Sequence, residues 1–491
     1  MRVLKLIILG ITFLRNKKGR NKKMIEKCQV FTPSQNVIEL LDAAGYKRDL
    51  YGKKIIENAC GDGNILVEIV RRYIEDSLNN NINLDKIKEG LEVDIHGAEI
   101  DEQHYFKCLA NLDEMASSFG ILNVNWKILN LDFLKQNFDG QFDYVIGNPP
   151  YINYRELNDE TRAYLRENFT SCKFGKFDYF YAFVEASFKS ISSTGKLAYL
   201  IPNSLFKNVF AQELRGIILP HLVRIIDYTS HKLFSQALTS SAIIVCDKKI
   251  SSKNFEYKDI KKGSTTVIQK ETLDKKWIFE NYNFESEPKR RFGDYFSAAI
   301  SVATLFNKAY ILKEFKEEEN HVCVGRFRIE NDLIRRGISP RSLNSKKSEL
   351  IIFPYKYVNS KLVRYSNEDF NKSFPEATKY LCNFSEELRN RKSDKNTKWF
   401  EYGRSQALAH LNQPKLLLST VVTKEVKVYE LTKDCIPYSG IYIVPKKELT
   451  LIQAKEILES KAFNEYVRAI GINANGNSLR ITAVDINNYR F

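Results

Sequence analysis

Between Lys53 and Lys249 short apolar runs alternate with stretches of helical periodicity, and the early runs end on small, acidic or amide residues. The runs are KKIIENA (53–59), IHGAEID (95–101), VNWKILNLD (124–132), FDYVIGN (142–148) and GKLAYLIP (195–202), followed by 222–229 and 240–248. Between them, 63–76 carries Ile65, Ile69, Val70 and Tyr73 on one helical face. A second helix is expected through Tyr105, Leu109 and Leu112, and an aromatic-rich one over 178–191. The polar stretch 79–90 is expected to be a loop. Strands alternating with helices predict an α/β fold with a mostly parallel sheet covered on both faces. Such sheets bind ligands outside the carboxyl ends of their strands. Gly61-Asp62-Gly63, Glu99, Asp132 and Asn148 stand at four of those ends, so they are expected to share one crevice.

The 491 residues exceed what one ordinary core accommodates. The βα alternation disappears near residue 290, where basic and aromatic residues mix, as in 324–341, 351–357 and 388–404. The expected organisation is a catalytic domain over 24–285 and a second, mixed α+β domain over 290–491. Residues 1–23 are set apart. Val3–Leu14 is apolar but short for a spanning helix, and the basic Arg15–Lys23 follows it where a signal peptide would carry charge before it. This extension is expected to be a disordered arm or a start-site artefact, with Met24 as the start.

The formal net charge is +15, which favours a polyanionic partner, nucleic acid ahead of a membrane. The cysteines (28, 60, 108, 172, 246, 323, 382 and 435) form no C-x-x-C pair, the histidines no i, i+4 pair, and HExxH is lacking. No metal is therefore expected, and single thiols fit a reducing cytoplasm.

The strand ends have a collective chemistry. Gly61 and Gly63 allow a ligand close to backbone. Glu99 can accept from the two hydroxyls of a ribose. Asp132 can accept from an adenine amine while Phe133 packs on the ring. Each has a plainer alternative: a tight turn, a surface carboxylate, and a helix N-cap followed by a core Phe. No GxxxxGK[ST] loop is present. An adenosine-shaped ligand without a phosphate site points to S-adenosylmethionine. The fourth run then ends in Asn148-Pro149-Pro150-Tyr151. An exocyclic base amine is a poor nucleophile, because its lone pair is delocalised. Two acceptors receiving both N–H bonds favour a pyramidal nitrogen. Asn148 offers a side-chain carbonyl, Pro149 a backbone carbonyl at fixed φ, and Pro150 restrains its neighbour. Tyr151 offers a face on which a base stacks, worth roughly 1–3 kcal/mol.

Taken together these motifs resemble those of N6-adenine DNA methyltransferases of the restriction–modification type, in the gamma order. The likeness spans about residues 28–250 and extends more loosely to the C-terminus. It implies a Rossmann-like S-adenosylmethionine-dependent methyltransferase sheet followed by a C-terminal target-recognition domain. VFTPSQNV (30–37) resembles the opening motif, implying that Phe31, Thr32 and Pro33 hold the methionine end of the cofactor. ENACGDGNIL (57–66) implies the same of Glu57, Ala59, Gly61 and Gly63. Glu99 then takes the ribose with Ile100 beside the adenine, and Asp132 and Phe133 contact the adenine. Asn148, counted in both the cofactor and catalytic sets, acts with Pro149, Pro150 and Tyr151. GKFDYFYAF (175–183) implies that Tyr181 or Phe183 walls the cofactor site, and LFSQALTSSAIIVCDK (233–248) that Phe234 holds the flipped adenine, its plainer alternative being a core aromatic. Residues 462–491 resemble the close of recognition domains. Arg326, Arg328, Arg335, Arg336, Arg389, Arg391 and Arg404 are candidate contacts to double-stranded DNA, each more readily to phosphate than to a base edge.

The implied activity is site-specific adenine methylation without cleavage by a cytoplasmic monomer, with a separate restriction endonuclease as a further partner. The polar stretch 79–90 lengthens the path to Glu99 and weakens that assignment. Rivals are an RNA adenine methyltransferase, a protein glutamine N5-methyltransferase, an N4-cytosine enzyme, and a DNA-binding specificity module with a degenerate methyltransferase core.

Overall fold

The structure, a computed structural model, describes residues 32–228, 241–279, 290–474 and 478–491. Residues 1–23 and the candidates Phe31 and Phe234 lie outside them. The chain divides after Phe279 into two compact units, residues 1–279 and 280–491.

The first unit is built on a nine-stranded mixed sheet. Its strands are β1 (Ile55–Glu57), β2 (Ile95–Glu99), β3 (Lys127–Asn130), β4 (Phe142–Gly147), β5 (Ile191–Pro202), β6 (Leu222–Asp227), β7 (Ser241–Asp247), β8 (Asn254–Asp259) and β9 (Ser264–Gln269). The order is β3-β2-β1-β4-β5-β7-β6-β8-β9. Neighbours from β3 through β5 all run parallel. β7 enters antiparallel between β5 and β6, and β9 closes the far edge antiparallel to β8. From β1 the chain winds outward to β2 and β3, then returns to β4 and winds the other way. The β1/β4 boundary is therefore the topological switch point, where such sheets open a crevice.

Side-chain alternation explains why this sheet is apolar throughout its centre. Ile56, Val145 and Leu197 enter one core, with Phe142, Phe180 and Tyr199. Their neighbours Ile55, Ile146 and Ala198 enter the other, with Leu66, Ile69 and Tyr73. Both faces are buried, so the strands read as continuous apolar runs rather than alternating ones.

Helix α1 (Ser34–Ala44) precedes β1, and α2 (Asn64–Asn79) follows it with Ile65, Ile69, Val70 and Tyr73 buried, as its 3.6-residue spacing predicts. The expected loop over 79–90 is corrected: Leu84–Asp94 is a helix, α3. Asn83 caps it by accepting from the Lys86 amide at 2.9 Å. Its inner face is carried by Ile87, Gly90 and Leu91. Gly90 lies so close under the Tyr73 ring that a Cβ would fall 2.2 Å from the phenol oxygen. A glycine at a close-packing position erased the apolar spacing that would have marked the helix. Further on lie α4 (Glu102–Ser117), α5 (Asp159–Asn168) and α6 (Phe180–Ser190).

The second unit is α+β. One antiparallel sheet runs in the order Phe296–Ile300, Ile441–Pro445, Lys415–Leu418, Val428–Leu431. A mixed sheet joins Ile311–Leu312, Leu350–Ile352, Ile334–Ile338 and Cys435–Pro437. Aromatic rings fill its core, with Phe370 and Phe400 stacked at 3.9 Å. No helix among the described residues is long and apolar enough to cross a membrane.

Candidate active site

A cavity of about 490 Å³ opens at the carboxyl edge of β1, β2 and β4, a size suited to a small-molecule ligand. Parallel pairing puts those strand ends side by side, so residues far apart in sequence meet there. Thr32, Glu57, Ala59 and Gly61 line it, as do Glu99 with Ile100, Asp132 with Phe133, and Asn148 through Tyr151. Pro33 is exposed and outside the lining. Gly63 is also outside it, for a separate reason. Its φ is +84°, and a Cβ there would stand 2.7 Å from Cys108 Sγ. This glycine lets α2 pack against α4 behind the cavity wall.

Glu99 is held at both oxygens. Oε2 accepts from the Gly61 amide at 2.8 Å and Oε1 from the Asp101 amide at 2.8 Å. The carboxylate thereby ties the β1 turn to the end of β2. Glu57, fully buried on the cavity wall, has its carboxyl pushed well above the usual range, by burial first and by the nearby Cys108 thiol and Glu99. Its Oε2 has no hydrogen-bond partner among the described residues.

Asp132 caps the short 3₁₀ turn Phe133–Lys135, accepting from the Leu134 amide at 3.1 Å. Phe133 is buried, stacked on Phe138 at 5.4 Å, with Phe183 parallel beyond it at 6.4 Å. The cap and core roles are therefore real, and both residues nevertheless face the cavity. Of the two wall candidates, Phe183 lines the cavity, whereas Tyr181 is wholly buried away from it.

Asn148 follows β4 directly. Its Nδ2 donates to Thr32 Oγ1 at 3.1 Å, which fixes the orientation of the amide. Tyr151 donates from its phenol to the Leu200 carbonyl at 2.9 Å and meets Phe180 edge-to-face at 6.3 Å. Burial raises the phenol's pKa, so it remains a donor. The Tyr179 amide donates to the Ile152 carbonyl at 2.9 Å, tying the loop after β4 to the start of α6.

Sequence reasoning missed a polar support around the β1 turn. Asp62 is buried; His104 Nδ1 lies 2.5 Å from one oxygen and the Lys107 ammonium binds the other. Burial acts to raise this carboxyl's pKa, but the Lys107 and His104 bonds outweigh it and lower it. Asn111 Nδ2 donates to the Asp62 carbonyl at 2.8 Å. His104, Lys107 and Asn111 recur at i, i+3 and i+7 on α4, a polar helical face that was legible as such. A second support, Asn58 with Ser187 and Tyr199, is fully buried, with Asn58 Nδ2 donating to Ser187 Oγ at 2.7 Å.

In the second unit the candidate arginines divide. Arg326, Arg336 and Arg389 are exposed. Arg328 lies 3.5 Å from Glu318, and Arg404 2.7 Å from Asp394. Arg335 donates to the Asp332 and Ile334 carbonyls and lies over Phe353. Arg391 is held from within the unit. Its guanidinium donates to the main-chain carbonyls of Leu388, Thr304, Trp399 and Glu401, so it holds its own fold together.

Residues 46–234 match the model of the Eco57I restriction-modification methylase family. Within those residues the chain is similar to that family. The methylase match covers the β1 turn, Glu99, Asp132 and Asn148–Tyr151, and leaves the second unit outside. The Type II restriction enzyme and methyltransferase RM.Eco57I of Escherichia coli is 24% identical over 332 residues, 58% of this chain and 33% of the relative. The Type II methyltransferase M.BstVI of Geobacillus stearothermophilus is 26% identical over 253 residues, 49% of this chain and 44% of the relative. Each match thus covers less than half of the relative's own length. Among solved structures, the Type IIL restriction-modification enzyme MmeI in complex with DNA shares the fold at a TM-score of 0.62. The identity is 15%, over 98% of this chain and 67% of that one.

Proposed function

We propose that this methylase transfers a methyl group from S-adenosylmethionine to the N6 amine of an adenine turned out of double-stranded DNA, as the modification arm of a restriction–modification system. The observation that carries the reading is the meeting of Asn148–Tyr151 with Glu99, Gly61 and Asp132 in one cavity at the β1/β4 switch point. The residues fit the cofactor. Glu99 is pre-oriented for ribose hydroxyls, Asp132 and Phe133 for an adenine edge and face, and the buried Glu57 for a polar group at the methionine end. Bound there, S-adenosylmethionine supplies an electrophilic methyl on a sulfonium.

The chain's own residues prepare the acceptor. Thr32 takes the Nδ2 end of the Asn148 amide, which leaves the carbonyl end to receive one N–H of the target amine. The Pro149 carbonyl receives the other. Tyr151, pinned through its phenol to Leu200, provides the stacking face. Held this way, the amine would present its lone pair to that methyl, with the Asn148 and Pro149 carbonyls stabilising the positive charge that would develop on nitrogen and bulk solvent taking the proton it would lose.

The second unit is read as the target-recognition part, with Arg326, Arg328, Arg336, Arg389 and Arg404 as its DNA-contact candidates. Single-molecule sequencing of DNA from a host expressing the chain tests the whole reading. N6-methyladenine at one recurrent motif, absent with Asn148→Ala, is expected. No modified adenine in either sample overturns it. Deleting residues 280–491 is expected to abolish site-specific binding in a gel-shift competition, and retained selectivity would refute the recognition role.

A further inference from the structure

A short loop beside the catalytic motif presents a phenylalanine to solvent in an unusually fixed way. Phe174 is 65% exposed. A lone exposed aromatic is ordinary, but the backbone on either side of this one is clamped. Arg166 on α5 donates to the Lys173 carbonyl at 2.9 Å and to the Gly175 carbonyl at 2.8 Å. The same guanidinium lies over the Tyr154 and Phe177 rings at 5.5 and 5.4 Å. Gly175 has φ +69°, and a Cβ there would fall 2.0 Å from the Phe210 ring, so the turn rests directly on that ring. Phe210 and Val209 are themselves exposed, extending the apolar surface.

The surroundings are basic. Arg155, Lys173 and Lys176 are all exposed, and none forms an ion pair among the described residues. The Lys173 ammonium sits 5.7 Å from the Phe174 ring. The loop is clamped by α5, which supplies Tyr164 and Leu165 to the cavity wall, and it precedes two further wall residues, Tyr179 and Phe183. β4 and β5 are parallel neighbours, so the segment after Gly147 and the segment after Pro202 emerge on the same side. The Tyr179–Ile152 bond joins the Phe174 loop to the residue that follows Tyr151.

We propose that Phe174 is a wedge that enters the base stack of duplex DNA where the target nucleotide leaves it, with Arg155, Lys173 and Lys176 on the flanking phosphates. This deepens the function proposed above and rests on it. Turning a base out leaves a gap in the stack and costs unstacking and unpairing. An apolar ring on a rigid loop offsets that cost by filling the gap, and lysines around it hold the backbone. A solvent-facing Phe contributes nothing to the methylase core, so its removal leaves the fold and cofactor site intact.

The test uses the full chain and a duplex carrying the motif read from methylation sequencing, with the target adenine either paired to thymine or opposite an abasic site. Phe174→Ala is expected to slow methyl transfer on the paired duplex about tenfold or more, and to stay within about twofold of wild type on the abasic one, where less must be broken. Phe174→Trp is expected to retain activity on both. With 2-aminopurine at the target position, the fluorescence rise on binding is expected to be lost with Phe174→Ala. Lys173→Gln and Lys176→Gln are each expected to reduce the salt slope of binding by about one. Equal transfer by Phe174→Ala and wild type on the paired duplex overturns the wedge, as does an equal loss on both duplexes. A wild-type chain that methylates neither duplex overturns the functional reading itself, a result distinct from either.

Discussion

The carboxylate of Glu99 at the end of β2 accepts the Gly61 amide of the β1 turn at 2.8 Å. One side chain therefore holds the glycine turn and, in the proposed function, also offers acceptors to a ribose. Removing it should cost more than a single ligand contact. Glu99→Ala is expected to weaken S-adenosylmethionine binding at least about tenfold, since a hydrogen bond to a charged group contributes roughly 1.5–3 kcal/mol. Titration calorimetry checks this. Glu99→Gln keeps one acceptor and is expected to fall between Ala and wild type. Unchanged affinity in Glu99→Ala would remove this residue from the cofactor site.

Asn148 and Thr32 should separate binding from chemistry. Thr32 Oγ1 receives the Asn148 amide nitrogen at 3.1 Å, across 116 positions of sequence. Thr32→Val keeps the shape and loses the acceptor, so the Asn148 amide is free to turn over. Its kcat is expected to fall about tenfold to a hundredfold, because mis-aiming a positioned group loses orientation rather than affinity. Cofactor affinity should change by less than about threefold, a loss smaller than 1 kcal/mol. Single-turnover methylation beside calorimetry distinguishes the two. A drop in affinity as large as the drop in rate would place Thr32 on the cofactor alone.

What the chain shows of its own fold follows from how each signal is encoded. The strand ends were legible because a parallel sheet places its carboxyl ends along one edge, so Gly61, Glu99, Asp132 and Asn148 had to converge wherever the loops ran. Helix α3 was hidden because its tightest contact is made by Gly90, which reads as a breaker. Gly61 and Gly63 looked equivalent, yet Gly61 faces the cavity and Gly63 serves the packing of α2 on α4. Spacing alone does not separate a glycine needed by a ligand from one needed by a neighbouring thiol. Arg391 read as a surface cation because nothing local reveals that the Thr304 carbonyl, 87 residues earlier, will lie 2.5 Å away. Asp62 was quoted only as part of a turn, while its partners lie on α4 more than 40 residues on.

Gly63 supplies a direct test of the packing account. Gly63→Ala meets two penalties: a positive φ and a Cβ 2.7 Å from Cys108 Sγ. Together these are expected to destabilise the first unit by about 1–3 kcal/mol. Cys108→Ala removes the clash and not the backbone cost. In the double variant the combined loss of melting temperature should therefore be smaller than the sum of the single losses. Strict additivity would mean the backbone conformation accounts for the whole effect.

Asp178 stands just after Phe177 and before the Tyr179 amide that ties down Ile152. Burial, with a lesser contribution from the charge of Glu156, raises its carboxyl from 3.8 to about 6. The sign of the linkage follows. Between those two values the folded chain holds a proton that the unfolded chain has released. Folding stability from this group therefore falls as pH rises from about 4 to 6, and the deficit persists at higher pH. Asp178→Asn cannot ionise. It is expected to melt higher than wild type at pH 7.5, by the equivalent of roughly 1–3 kcal/mol. The gap should narrow through pH 6 and close near pH 4. Melting curves of both proteins at pH 4.5, 6 and 7.5 decide the matter. A gap that does not change with pH would show that the substitution acts through packing, and that Asp178 carries its charge without cost beside the loop after β4.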